Sequence, residues 1–556
     1  MNSRPPLGLG TDYEENKQGA NPTSPLFLLP IFHMLEIQPH LLTYGAALLS
    51  VLYLLSNYVS NRDKRRKLDA IPSVGTTGIF SFVTDQFKFL LNARDIVQEG
   101  YEKYHGRPFK FRRLLNGWSV VLTSPNLIDE MRKAPDDVLS FQEALQDILQ
   151  IEYTLGKSIH RDPYQVAVVR GALTRNIGTK FAQVQDEIVA SFNELIPVQD
   201  DWVTVNLNST IMQVVARTSN RFFSGLPLCR NSEYIASRCF CILYLSALAH
   251  YDQQDLNVKF TIQVVLSGQL IGLFPEFLKP IAGNLLTPVP ASVKRAKEHL
   301  APIIQERLAK DEEYGCDWAE RPNDLLSWLL DEAKGYQRSL DDLVMRILTI
   351  NFGAIHTTTM SVTTTISVLG VYPQYIPELR NEIEAVVAEH GWTKAAMGQM
   401  RKLDSFLKEV QRFTSYGVFG VERRTLQDFT FSDGTTVPKG VNIGVPVRAI
   451  HHDDRYFLNA SKFDGFRFAD LRLESGESIK HQMVTPTAEY FLFGNGRHAC
   501  PGRFFAVNEL KALIAHILLT YDLKLENEAA MPPVRWFGAS GIQDDKTRVL
   551  FRKRRQ

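Results

Sequence analysis

The sequence predicts a mainly α-helical protein with small β-sheets, built as one large domain behind a single N-terminal transmembrane helix. Three observations carry that class. Apolar residues recur at helical spacing over most of the chain downstream of residue 75. Only two segments carry paired short apolar runs about a glycine turn. A run of 19 uncharged residues, Leu41–Val59, stands ahead of both. The 556 residues are 44% hydrophobic and 22% charged, which is ordinary globular composition, and no repeat period stands out.

From the N-terminus, residues 1–40 read as a short tail, of which 1–25 are polar and rich in Pro, Gly and Asn and expected to be disordered. Residues 41–59 follow as the anchor. At about 1.5 Å per residue that run just crosses a hydrocarbon core of about 30 Å. Behind it stand Arg62, Lys64, Arg65, Arg66 and Lys67. Basic residues stay on the cytosolic side, so the tail is expected to be lumenal and the rest cytosolic. A cleaved signal peptide fits poorly, because the run begins late and lacks a basic start. Residues 60–75 form a basic linker ending in Ile71-Pro72-Ser73-Val74-Gly75, a stiff hinge into the domain at 76–556.

Within the domain a first hairpin is expected between Phe109 and Thr123 about Asn116-Gly117, and a second over Phe429–Val441 about Asp433-Gly434. Ser339–Gly370 reads as one helix about 45 Å long, capped by Ser339. Its middle carries Gly353-Ala354-Ile355-His356-Thr357-Thr358-Thr359. An amphipathic stretch from Asp404 places Glu409 and Arg412 on one helix face, where they can pair.

Charge and cysteine content exclude some classes. With 62 basic and 61 acidic residues, net charge is +1 and nothing suggests a nucleic-acid partner. Cys229, Cys239, Cys241, Cys316 and Cys500 are few and odd in number, which argues against a disulfide framework and for a reducing compartment. Cys500 differs from the others. It lies in Phe493-Gly494-Asn495-Gly496-Arg497-His498-Ala499-Cys500-Pro501-Gly502-Arg503, just before an apolar helical pattern from Phe504 to Leu519. Glycines and proline allow a tight loop. A helix N-terminus with Arg497 and Arg503 nearby favours thiolate over thiol, a good soft ligand for iron. A cysteine hydrolase is disfavoured, since no oriented triad can be read around His498.

This segment closely resembles the haem loop of the cytochrome P-450 superfamily, F-x-x-G-x-R-x-C-x-G, with Phe493, Gly496, Arg497, Cys500 and Gly502 read as its defined positions. The resemblance implies Cys500 as the metal ligand of haem b, an axial thiolate, and Arg497 as the partner of a haem propionate. It implies that Glu409 and Arg412 form a structural network with Arg467 of Phe463-Asp464-Gly465-Phe466-Arg467-Phe468, where Gly465 replaces the usual proline. The family's oxygen-activation segment, A/G-G-x-D/E-T-T/S, places its acid at His356 and its alcohol at Thr357, beside Thr358. His356 relays protons or contacts substrate; the sequence leaves both open. Arg170 corresponds to the arginine of a W-x-x-x-R helix with Val166 for the tryptophan, and Arg423 to a propionate-binding residue on a strand, with Arg424 beside it as an alternative.

By the same resemblance the fold is the cytochrome P-450 fold and the activity that of a monooxygenase. It would insert one atom of dioxygen into a hydrophobic small molecule. Electrons would come from NADPH through a cytochrome P-450 reductase. The expected setting is the endoplasmic reticulum membrane, single-pass, with a monomeric chain. Its motifs resemble those of fungal secondary metabolism, which implies terpenoid-like, polyketide or alkaloid intermediates. Two rivals stay open: a haem-thiolate isomerase or dehydratase that needs no reductase, and a catalytically silent haem-binding membrane protein.

Overall fold

The computed structural model describes residues 61–75, 81–113, 117–235, 256–527 and 530–555. The chain divides into two compact units, Met1–Arg66 and Lys67–Gln556. Of the first, only residues 61–66 are described, at the start of a helix Arg62–Asp69. The expected span Leu41–Val59 lies outside the described residues. Among those that are described, no helix is long and apolar enough to cross a membrane.

The second unit is mostly helical, as its apolar spacing requires. The helix Leu340–Val371 runs through its core and packs against the helices Leu207–Phe223, Val289–Tyr314 and Arg503–Thr520. Ser339 caps it, its hydroxyl accepting from the Asp342 N–H at 3.4 Å. Threonine and serine are weak helix formers because their hydroxyls compete for backbone groups. Here that competition is turned inward. Thr359, Thr363 and Ser367 each donate to the carbonyl four residues back, at 2.8, 2.9 and 2.9 Å. A helix rich in hydroxyls can thus be buried with those donors satisfied.

Five short strands form the largest sheet, in the spatial order Phe109–Arg113, Gly117–Val121, Asn442–Val445, Gly420–Thr425, Leu139–Ser140. The first hairpin pairs Phe109 with Val121 through Arg113 with Gly117, so Gly117 opens the second strand, at φ +71°, instead of sitting inside the turn. Residues 114–116 lie outside the described residues. The second hairpin is shorter than expected, with two-residue strands Phe429–Thr430 and Thr436–Val437. Asp433 accepts from the Thr435 N–H at 2.9 Å and Gly434 takes φ +85°. A three-stranded sheet joins Val203–Asn206, Arg548–Lys553 and Tyr521–Leu525, tying the C-terminus to the middle of the chain.

One polar contact inside this core carries a measurable consequence. Glu509, on the helix that follows Cys500, is buried, and accepts from the hydroxyls of Thr218 at 2.9 Å and Ser219 at 2.8 Å. Burial pushes its carboxyl up to about 7, against which the two hydroxyls pull. The folded state therefore keeps a proton that the unfolded chain releases near its ordinary value of about 4.3. Stability falls as pH rises through the window between those values and is flat above it. Replacing Glu509 by Gln should remove that slope. The variant is expected to gain stability over the parent at pH 8 relative to pH 5, by a few kcal/mol at most, as urea unfolding at the two pH values would measure.

Candidate active site

Cys500 is held by its own loop before anything else touches it. The Gly494 N–H donates to the Phe491 carbonyl at 2.9 Å, the Ala499 N–H to Gly496 at 3.1 Å and the Cys500 N–H to Phe493 at 2.8 Å. Gly494 at φ +70° and Gly496 at +63° occupy the left-handed region that suits glycine. At Gly496 a Cβ would also lie 2.7 Å from the Arg132 side chain. The chain then turns through Pro501 and Gly502 into the helix Arg503–Thr520.

The sulfur faces a cavity of about 710 Å³. Phe493, Cys500 and Gly502 form one wall; Gly353, Ala354, Thr357 and Thr358 of the long helix form another. Most of the remaining lining is apolar. Burial pushes the Cys500 thiol up, while the backbone N–H groups of Gly502 and Arg503 and the Arg503 guanidinium pull it down. The helix start pulls in the expected direction, but desolvation, which the sequence did not reveal, is the larger effect, and the thiol ends above its ordinary value and not favoured as thiolate.

Among the basic residues the structure discriminates. Arg423 lines the cavity, is 3% exposed, and donates to the Glu422 carbonyl at 2.8 Å. It forms no ion pair among the described residues, and burial pulls its guanidinium down to about 10. Arg424 is instead paired with Asp147. Arg497 does not line the cavity. It donates to the carbonyls of Lys133 at 2.9 Å and Ala134 at 3.0 Å, ending the helix Pro125–Lys133. Arg170 is exposed and braces the same loop from outside, donating to the Arg497 carbonyl at 3.1 Å.

The residue that the loop does turn into the cavity is His498. Its Nε2 lies 2.6 Å from Asp136 Oδ1, and its ring is 5.2 Å from Phe141. Counted from Phe493, the arginine position of F-x-x-G-x-R-x-C falls on His498, and Arg497 stands one residue earlier. Residue type favours the neighbouring Arg497 for that position, since arginine is expected there. Spacing from Cys500 was the signal that would have found His498.

On the long helix Thr357 donates to the Gly353 carbonyl at 2.8 Å, with its side chain toward the cavity. Ser361, one turn on, lines the cavity as well. His356 is not among the residues that line it.

Behind the loop, Arg412 donates twice to Glu409, at 2.7 Å each, and Arg467 donates to both oxygens of Glu409 at 3.2 Å. Arg412 also bonds the carbonyls of His451 and Ala460, and Arg467 that of Leu458. The expected network is formed, with Gly465 in place of proline. A Cβ at Gly465 would come within 2.7 Å of the Phe406 ring.

Residues 239–551 match the family model "Cytochrome P450". Cytochrome P450 monooxygenase 71 of Postia placenta is 40% identical over 487 residues, 87% of this chain and 93% of the relative. Cytochrome P450 monooxygenase CYP512U6 of Ganoderma lucidum is 30% identical over 88% of this chain and 92% of its own. Cytochrome P450 monooxygenase olcJ of Penicillium canescens is 33% identical over 82% and 83%.

The chain belongs to the cytochrome P450 family. It is a cytochrome P450 monooxygenase, with fungal relatives over most of its length. The family carries a haem whose iron takes a cysteine thiolate. The cavity of this cytochrome P450 suits such a group: a cysteine in one wall, apolar sides, and the buried Arg423 cation, which forms no direct ion pair among the described residues.

The network behind the loop in this P450 is sensitive to single substitutions. Glu409 and Arg412 are both fully buried, so removing one charge strands the other. Arg412→Ala is expected to cost about 3–5 kcal/mol and to abolish accumulation of folded, haem-loaded protein. Arg412→Lys should recover little, because a lysine cannot replace the two-pronged contact. Haem content per polypeptide and thermal unfolding would check both.

Proposed function

We propose that Cys500 is the axial ligand of haem b in this cavity, and that the enzyme inserts one oxygen atom into a hydrophobic terpenoid-like, polyketide or alkaloid intermediate. The observation that carries the reading is the meeting, across one apolar cavity, of the Cys500 loop with the Gly353–Thr358 turn of the long helix. Bound there, the haem supplies activation of dioxygen.

The protein's own residues do the rest. Arg423 and His498 are assigned to the two propionates, each being a buried or half-buried donor on the cavity wall. Arg170 and Arg497 are assigned to the outer brace of the loop. Thr357 Oγ1 holds a proton at the cavity wall, with Gly353 O as its resting acceptor, and turns it toward the reacting oxygen. Gly353 and Ala354 leave space beside that hydroxyl. The apolar lining orients a hydrophobic substrate and excludes water. His356 is assigned a role in shaping the helix, since it stands off the cavity.

Electrons are assigned to NADPH through a membrane-bound reductase. The basic cluster after Leu41–Val59 supports a single-pass anchor with residues 76–556 in the cytosol, the endoplasmic reticulum being the membrane.

Two measurements test the reading. The reduced carbon-monoxide difference spectrum of the membrane-expressed parent should show the strongly red-shifted Soret band of a thiolate ligand. Cys500→His should lose that band while keeping haem; a band unchanged in the variant excludes Cys500 as the ligand. Separately, Thr357→Ala should lower product formed per NADPH consumed by at least about tenfold, with NADPH still oxidised. Equal yield per NADPH in parent and variant would remove Thr357 from proton delivery.

A further inference from the structure

His451 lies on neither the cysteine loop nor the long helix, and no spacing in the sequence distinguishes it from His452 beside it. It sits in a short helix, Val447–His451, and is 2% exposed. Both ring nitrogens are engaged. Nε2 accepts from the Phe491 backbone N–H at 3.2 Å, and Nδ1 lies 2.8 Å from Ser415 Oγ. An N–H can only donate, so Nε2 carries no proton and the hydrogen is on Nδ1, directed at Ser415. Ser415 Oγ in turn donates to the Arg412 carbonyl at 2.6 Å. The carbonyl of His451 accepts from the Arg412 guanidinium.

These bonds run between two parts of the enzyme that are otherwise far apart in sequence. At one end is the buried Glu409–Arg412 pair. At the other is Phe491, whose carbonyl receives the Gly494 N–H at the start of the turn that carries Cys500. The ring is stacked as well as bonded: it lies 5.3 Å from Tyr490 at 16° and 6.4 Å from Phe491 at 10°. Burial and the neighbouring Arg412 cation hold the imidazole well below its ordinary value, so it stays neutral and keeps one donor and one acceptor.

We propose that His451 is a positioning residue that locks the cysteine loop to the Glu409–Arg412 network, through the Phe491 N–H on one side and Ser415 on the other. The inference rests on the reading of Cys500 as the haem ligand. Its effect is on how the sulfur is presented, through its hydrogen bonds, although His451, Ser415 and Phe491 also line the cavity. Without the imidazole acceptor, the Phe491 N–H is stranded in the core and the start of the turn is free to shift.

The test uses the full-length, membrane-expressed enzyme and compares the parent with His451→Phe, His451→Gln, Ser415→Ala and Val549→Ala. Phenylalanine keeps a ring for stacking but offers neither hydrogen bond. Glutamine offers one donor and one acceptor again. Val549 is fully buried in the C-terminal three-stranded sheet and serves as a destabilised core control. The reading is the share of the carbon-monoxide complex, at equal haem content, that shows the thiolate-type Soret band.

That share is expected to fall about fivefold in His451→Phe, to return toward the parent in His451→Gln, and to be unchanged in Val549→Ala. Should His451→Phe fail to accumulate, Ser415→Ala carries the test, with a smaller loss of the same band expected. Retention of the parent spectrum in His451→Phe, or in Ser415→Ala if that variant alone is obtained, overturns the proposal. So does a Val549→Ala spectrum that loses the band as strongly. Absence of the thiolate band from the parent itself would instead overturn the ligand reading, and this inference with it.

Discussion

A carboxylate and a guanidinium with no access to water are the constraint around which the proximal side of this protein is arranged. Glu409 and Arg412 are both fully buried. Removing two charges from solvent is costly, and their mutual attraction offsets that cost only when every remaining donor and acceptor is met. The sequence meets them from several directions. Arg467 supplies a second cation, the backbone N–H of Asp464 reaches Glu409 at 3.1 Å, and the carbonyls of His451 and Ala460 both accept from Nη1 of Arg412. Each partner fixes a segment in place, and one of them, His451, also accepts from the Phe491 N–H at the start of the Cys500 loop.

The cavity shows the opposite electrostatic condition. Arg423 is as buried as the residues of the network, yet it forms no ion pair among the described residues. A cation left this way is unfavourable unless the site accepts an anion. Next to it, His498 and Asp136 form a close pair at the same wall. Arg423 and His498 therefore give one wall of a mostly apolar cavity a basic edge, which orients any amphipathic group that enters it. The Cys500 thiol carries a similar imbalance, pushed up by burial more than the N–H groups at the start of its helix pull it down. A metal cation beside the sulfur would decide that balance in favour of the thiolate.

Local pattern was a good guide wherever a property depends on residues close in sequence. The 32-residue helix Leu340–Val371 was legible because its cap and its apolar spacing are local, and the pairing of Glu409 with Arg412 because three residues bring both to one helix face. The Asp433-Gly434 turn was legible for the same reason, though its strands extend less far than the pattern implied. The arginines were harder. Arg423, Arg424 and Arg497 have the same chemistry and all stand near motif positions, but one faces the cavity, one an aspartate and one the end of a helix. Nothing in their neighbours along the chain separates Arg423 from Arg424, whereas Arg497 stands one place from the motif position that spacing from Cys500 gives to His498. His356 shows the limit from another side, since it stands at a motif position yet is not among the residues lining the cavity.

What the sequence determined by itself was the family, the helical class, the cysteine loop and the charged triad of Glu409, Arg412 and Arg467. Those are set by spacing, and spacing survives without a fold. What only the tertiary structure decided was which polar groups share the cavity and which are already engaged elsewhere. His498 is turned inward while Arg497 is held by the carbonyls of Lys133 and Ala134, more than 360 residues away along the chain. His451 joins residues 36 and 40 positions distant. Burial and hydrogen-bond satisfaction depend on everything that packs around a group, and for these residues that surrounding is assembled from distant parts of the chain.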